Sequence, residues 1–144
     1  MHNNYLLLAL FVLIWVNDSG AYIVGSLTAK LPKGNHKMFP RVSPAKSWEG
    51  LVGGILFSLL AGYIFFRVGW TAEMGLLNSL LFACAGSIFG TLGDLMESLF
   101  KRTLGVKDSG KIMPGHGGVL DRFDSLLLAV PVVYLLFVYL PFVL

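Results

Sequence analysis

Ser98-Leu-Phe-Lys101-Arg102, Lys107-Asp108, Pro114-Gly-His116-Gly-Gly118 and Asp121-Arg122-Phe-Asp124-Ser125 follow one another within residues 98–125. This stretch holds five of the eleven Lys and Arg, three of the eight acids, five of the 17 glycines and one of the three histidines. Strongly apolar sequence flanks it on both sides. Those flanks decide the fold, because a polar, cationic, Gly-rich loop between long apolar segments is a loop between membrane helices. Its contents, cations followed by paired aspartates, point to a phosphate and metal site at a membrane surface.

Working outward, the whole chain of 144 residues is 56% hydrophobic and only 13% charged, against about 25% charged in an ordinary soluble domain. A single integral-membrane domain over residues 1–144 is expected, an all-α polytopic bundle of about four spanning helices with two site loops. The formal net charge of +3 is no nucleic-acid signature, since the cations are confined to two loops, and no nucleic-acid partner is expected. Cys84 has no second cysteine to pair with, which excludes a disulfide framework. Residues 1–4 carry no positive charge, and the apolar run after them continues past Asn17-Asp18-Ser19. It reads as a mature transmembrane helix rather than a cleaved signal peptide.

Roughly 20 apolar residues cross a bilayer. Spans are expected over residues 5–29, 51–68, 75–100 and 123–144, and their apolar runs are continuous rather than alternating, which favours helices over a barrel. With four spans, the loops at 30–50 and 101–122 share one side, and every Lys and Arg except Arg67 lies in them. The positive-inside rule makes that side cytoplasmic and puts both termini outside, in a membrane expected to be the bacterial inner one. Gly50, Gly54, Ser58 and Gly62 recur every four residues, as do Gly86 and Gly90; small residues at this spacing let helix backbones approach closely in lipid. Pro131 should kink the fourth span, which a membrane helix tolerates.

Acids in or near a bilayer are costly, so each needs a reason. Asp18 is either a polar side chain paired inside the bundle or a site residue facing a cytoplasmic cavity; the second is favoured, because about two more turns of the span follow it. Ser87, Thr91, Asp94 and Ser98 share one helical face. Glu97 lies four residues before Lys101, the spacing of a helix-end ion pair. Asp94 has no cation four residues on, and is the better candidate for a metal or nucleotide contact. Asp121 and Asp124, three apart, repel each other unless a cation lies between them, and hard oxygen ligands of this kind suit Mg²⁺ beside substrate phosphates. The competing reading is a helix start enriched in acids for dipole reasons. The loop before them favours metal: Pro114 to Gly118 can bring bare backbone N–H groups against an anion. In the first loop, Ser43 and Ser47 cap or contact phosphate, Lys46 is a phosphate candidate, Trp48 an anchor or stacking surface, and Glu49 a helix-dipole residue.

These segments resemble the phosphatidate cytidylyltransferases (CDP-diacylglycerol synthases). The similarity is carried by the stretch quoted above and by Trp15-Val-Asn-Asp18-Ser-Gly-Ala-Tyr22, Ser43-Pro-Ala-Lys46-Ser-Trp48-Glu49-Gly50 and Gly93-Asp94-Leu-Met-Glu97-Ser98. Family members are about twice as long, and the likeness is to their C-terminal, site-bearing half, with the N-terminal helices absent. The resemblance implies transfer of CMP from CTP to phosphatidate, giving CDP-diacylglycerol and pyrophosphate in phospholipid biosynthesis. It implies Mg²⁺, and admits a second cation. Asp121 and Asp124 would hold metal, with Asp94 a third contact and Asp18 a further one. Lys101, Arg102, Lys107, Lys111 and Arg122 would hold phosphates, and the loop with Gly115, Gly117 and Gly118 would cradle nucleotide or pyrophosphate. Lys46 and Ser43 would complete the pocket, with Ser98 and Asp108 also counted among the substrate-binding residues. His116, grouped with the catalytic residues Asp121, Asp124, Lys101 and Arg102, orients a phosphate or serves in proton transfer.

Two rivals stand beside this reading. A CTP-dependent polyprenol or phytol kinase would pass the γ-phosphate to an alcohol and release CDP. A non-catalytic half would need a partner carrying the missing helices; a homodimer is the other assembly left open.

Overall fold

In lipid a backbone must satisfy its own hydrogen bonds, so the apolar runs have one outcome. The structure, a computed structural model, describes residues 5–105 and 120–139, with side chains for 5–105 and 125–135. Helices form where the runs lie: α1 (Leu6–Ala29), α2 (Trp48–Val68), α3 (Gly75–Thr103) and α4 (Leu120–Tyr139). The 24 residues of α1 reach about 36 Å at 1.5 Å per residue, enough for a hydrocarbon core of about 30 Å. α1, α2 and α3, the last with the 3₁₀ turn Ala72–Met74 that leads into it, are each long and apolar enough to cross a membrane; in α4 the apolar stretch with described side chains is Ser125–Leu135. The chain is an integral membrane protein with an all-α membrane bundle.

Local chemistry sets the helix ends. Ser47 caps α2 by accepting a 3.1 Å hydrogen bond from the Gly50 N–H. Glu49 in the first turn and Arg67 in the last complement the helix dipole. Gly69 ends α2 in the left-handed region (φ 98°) and returns its N–H to Phe65. Trp70 then stacks on Phe65 and Tyr5, with ring centroids 5.2 and 6.1 Å away, closing that end with aromatic side chains.

The region 30–50, expected as a loop, departs from expectation. It folds into an antiparallel hairpin, β1 (Lys37–Phe39) and β2 (Ser43–Ser47), and α2 begins directly after it. Strands this short show no alternation to read, and Pro40 and Pro44 argue for a loop. Pro44 is tolerated because a two-stranded sheet leaves each strand an open edge.

The small-residue rows bring the helices together. Gly50, Gly54, Ser58 and Gly62 are all buried on α2, and Gly86 and Gly90 on α3. Gly54 faces α1: a Cβ there would stand 2.5 Å from Asn17 Oδ1. Gly62 faces α3, where a Cβ would stand 2.7 Å from that of Ala83, and Gly86 faces α1, 2.5 Å from Leu13 Cδ2. Leu10, Leu13 and Phe82 with Phe65, Ala129 and Val133 form the core where all four helices meet. The outer faces keep exposed Leu, Val and Ile side chains on every helix, as lipid-facing surfaces do.

Candidate functional site

The polar chemistry gathers toward the hairpin end, and it starts from one buried side chain. Asn17 continues the inward row of Leu10, Leu13 and Ile14 on α1 and is 2% exposed. A buried amide needs partners on both sides. Its Oδ1 accepts from the Ser87 hydroxyl and its Nδ2 donates to Thr91 Oγ1 at 3.2 Å, both on α3. Gly54 leaves the space the amide occupies.

From Thr91 the network reaches the hairpin. Lys46 of β2 donates from Nζ to the Thr91 carbonyl at 3.3 Å and forms an ion pair with Asp94, one turn further along α3. The cation that Asp94 lacks on its own helix is thus supplied from the first loop. Both partners are partly shielded, at 22% and 35% side-chain exposure, so their attraction is stronger than that of a fully solvated pair.

The pair borders a cavity of about 220 Å³ between α1, the hairpin, and the facing ends of α2 and α3. Asp18 and Tyr22 line it from α1, Met38 from β1, Gly50 from α2, and Thr91 from α3. Asp18 is exposed while its neighbour Asn17 is buried, as two positions 100° apart on a helix must be. The cavity therefore carries two carboxylates, one ammonium group, the hydroxyls of Tyr22, Ser47 and Thr91, the Asn17 amide and an apolar rim.

Other expected site residues fall outside this cavity lining. Ser43 and Ser98 are both partly buried, Ser43 on β2 and Ser98 one turn beyond Asp94. Lys101 is held by Glu97 at 3.1 Å, the helix-end pair that the spacing allowed. Arg102 is exposed in the last turn of α3. Ser47 serves as a cap, as one of its two readings had it. Glu49 does more than complement the dipole: its carboxylate accepts from the His36 backbone N–H at 3.1 Å and contacts His36 Nδ1 at 2.6 Å, tying the connector before β1 to the start of α2. Asp121, Arg122 and Asp124 lie on the first turns of α4, and their side chains are outside the described residues, as are Lys107, Asp108, Lys111, Pro114, Gly115, His116, Gly117 and Gly118 altogether. The backbone of α4 still locates its first turn. Gly90 of α3 packs against Ser125, with 3.9 Å from a Cβ built at Gly90 to that of Ser125. Position 121 is one turn before Ser125 on the same helical face, and position 94 one turn beyond Gly90.

Asn17 was the residue missed by reading the sequence. Its signal was present: it keeps the i, i+3, i+7 phase of Leu10, Leu13 and the core.

Comparison with known proteins gives the family of the chain. The sequence profile of the Cytidylyltransferase family matches residues 1–140, and the chain belongs to that family. It is 45% identical over 133 residues to the phosphatidate cytidylyltransferase of Haemophilus influenzae, covering 90% of this chain and 44% of the relative. It is 47% identical over 136 residues to that of Staphylococcus haemolyticus and 42% identical over 136 residues to that of Staphylococcus aureus, each match covering 94% of this chain and 49% of the relative. The chain spans about half the length of the curated relatives it matches.

Proposed function

We propose that this chain carries the substrate site of a phosphatidate cytidylyltransferase, which joins CTP and phosphatidate into CDP-diacylglycerol and releases pyrophosphate. The observation that carries the reading is the Lys46–Asp94 pair on a cavity at the mouth of the bundle. It joins the first loop to α3, two segments that each hold a family-like motif. Membership of the Cytidylyltransferase family supports the same chemistry.

In this reaction a phosphate oxygen of phosphatidate attacks the α-phosphorus of CTP. The bond from that phosphorus to the β-phosphate bridging oxygen breaks, and its electrons leave with pyrophosphate. The substrate brings its own nucleophile, so no side chain need be activated. The protein's work is to align two polyanions and offset their charge. Lys46 is placed to hold a phosphate at the cavity, and Arg102, with Lys107, Lys111 and Arg122, would add cations around it. Lys101 would take part only by leaving Glu97.

The cavity suits a cation. Two carboxylates, Asp18 and Asp94, open onto it, and an ammonium group already rests on Asp94. Hard oxygen donors of this kind select Mg²⁺, and a second cation would find donors in the same set. The register of α3 against α4 supports Asp121 as a neighbour of Asp94, with Asp124 on the same turn as Asp121. When bound, the metal would neutralise charge developing on the transferring phosphoryl group. His116 orients a phosphate or serves in proton transfer. The diacyl tails stay in the leaflet while CTP arrives from water, on the cytoplasmic side, with both termini on the other. The side is supported by the cations, of which only Arg67 lies away from the two loops.

The half-length match favours one qualification: turnover draws on the other half of the family fold, in the same polypeptide or as a partner chain, with a homodimer of this chain as the alternative assembly. The test supplies phosphatidate, Mg²⁺ and cytidine-labelled CTP to the chain in lipid micelles, with and without an N-terminal half from a relative. Label in the lipid fraction is the expected result. Release of labelled CDP with phosphorylation of an alcohol would replace the reading with a lipid kinase. No turnover in either mixture would overturn it.

A further inference from the structure

The hairpin walls the cavity through Met38, Ala45, Lys46 and Ser47, and it also carries exposed side chains that take no part in that lining. Met38 and Lys46 line the cavity, while Lys37 and Phe39, alternating with Met38, are exposed. Arg41 in the turn is exposed, as are Lys30, Leu31 and Lys33 in the connector from α1. Lys30, Lys33, Lys37 and Arg41 have no ion pair among the described residues. Residues 19–48 contain no Asp or Glu at all. Lys46 and Lys101 are spoken for by Asp94 and Glu97. The outer face is therefore cationic without internal compensation, and it carries Leu31 and Phe39, 58% and 49% exposed, among the charges.

Its height is fixed as well. The connector folds back on the helix ends: Asn35 Nδ2 donates to the Gly25 carbonyl at 2.9 Å, more than a turn before α1 ends. The Trp48 N–H donates to the His36 carbonyl at 3.0 Å, and Glu49 holds the His36 N–H. Three bonds keep this segment at the level where α1 leaves and α2 enters the bilayer, and Trp48, 53% exposed, stands at the same level as an interfacial anchor.

We infer that the outer face of the hairpin, with the connector before it, is a docking surface for anionic phospholipid headgroups of the surrounding leaflet. Lys33, Lys37 and Arg41 engage the headgroup phosphates, and Leu31 and Phe39 enter the acyl boundary beside them. None of these five residues lines the cavity, so the surface gathers charged lipid around the mouth of the bundle without occupying the site. The inference does not depend on which reaction the cavity carries.

Trp48 provides the measurement. The chain with Trp15→Phe and Trp70→Phe is placed in phosphatidylcholine vesicles containing a minor fraction of lipid brominated near the carbonyl end of its chains. That lipid is either phosphatidylglycerol or phosphatidylcholine. Local enrichment of the anionic lipid is expected to be roughly fivefold per engaged cation at low salt, the ratio that about 1 kcal/mol per Lys or Arg gives. The brominated anionic lipid should quench Trp48 far more strongly than the neutral one, and the excess should collapse as salt rises. The excess should also vanish in Lys33→Gln/Lys37→Gln/Arg41→Gln, while quenching by the neutral lipid stays as it was. Lys33→Arg/Lys37→Arg should keep it. Equal quenching by the two lipids in the unsubstituted hairpin overturns the inference, and so does an excess that high salt leaves intact. The salt arm decides even where the triple variant fails to insert.

Discussion

Replacing Gly54 with alanine puts a methyl group where the structure has the Asn17 amide. The new Cβ would stand 2.5 Å from Asn17 Oδ1, 3.0 Å from the Asn17 backbone oxygen and 3.3 Å from the Ala21 Cβ. The side chain must yield, yet it is held by Ser87 on one atom and by Thr91 on the other. Overpacking costs about 1–3 kcal/mol, and each interhelical hydrogen bond lost adds about 0.6 kcal/mol, at most about 1.7. Gly54→Ala should therefore lose about 2–4 kcal/mol. Asn17→Ala alone gives up two hydrogen bonds and strands the buried Ser87 hydroxyl, a loss of about 1–3 kcal/mol. In the double variant the atom nearest the new methyl is gone, and the hydrogen bonds cannot be broken a second time. It should cost less than the sum of the singles by about 1–2 kcal/mol, with a residue of strain left by the backbone oxygen. SDS-driven unfolding in mixed micelles, followed by helical circular dichroism, reads all four proteins. Additivity within about 0.5 kcal/mol would mean that Gly54 and Asn17 are not coupled, and the packing argument would fail.

Substitutions at four further positions test the site and one helix end. Lys46→Ala should lower kcat/KM for CMP transfer roughly 10–150-fold, the worth of one hydrogen bond to a charged group at about 1.5–3 kcal/mol; unchanged turnover in the labelled-CTP assay would remove Lys46 from the site. Asp121→Asn and Asp124→Asn should each cost about 100-fold or more in Mg²⁺-dependent turnover, since metal neutralisation of phosphoryl charge is worth several kcal/mol; a Mg²⁺ titration unchanged in both would end the metal assignment. Gly69→Ala meets no neighbour within 4 Å but takes a side chain to φ 98°, so it should lose about 1 kcal/mol from backbone strain alone. Gly69→Asn should recover part of that in the same unfolding assay.

The membrane bundle was readable because its signals are long. Each helix starts within three residues of its expected position, and the glycine rows expected to pack are the ones that do. Runs of some 20 apolar residues leave the backbone no alternative in lipid. The hairpin was not readable, because strands of three and five residues hold too few positions to show a period and two prolines mask them. In the site, spacing along one helix was enough for the Glu97–Lys101 pair. It could not supply the partner of Asp94, because Lys46 is distant in sequence and arrives only when the hairpin folds over α3. Asn17 shows the same limit from the other side: its phase marks it as buried, but only tertiary structure names Ser87 and Thr91 as its partners.

Two ion pairs at the hairpin end illustrate how similar chemistry does different work. Glu97 and Lys101 sit on one helix, and Glu97 is only 8% exposed. Breaking that pair leaves a shielded carboxylate without its cation, so it costs more than the about 0.3–0.5 kcal/mol of an exposed i,i+4 pair. Lys46 and Asp94 sit on separate elements, and beside their pair the 3.3 Å bond from Lys46 to the Thr91 carbonyl is a second polar link from hairpin to α3. Breaking it frees the hairpin from the cavity wall that α3 supplies, so the lysine that contacts substrate in the proposed reaction also sets the width of the cavity. In the proposed reaction a cation that enters would compete with Lys46 for Asp94, and the ammonium so released would be available to a phosphate. Metal and phosphate would then reinforce each other at one position, the coupling that the proposed site needs if it is to hold two polyanions that repel each other.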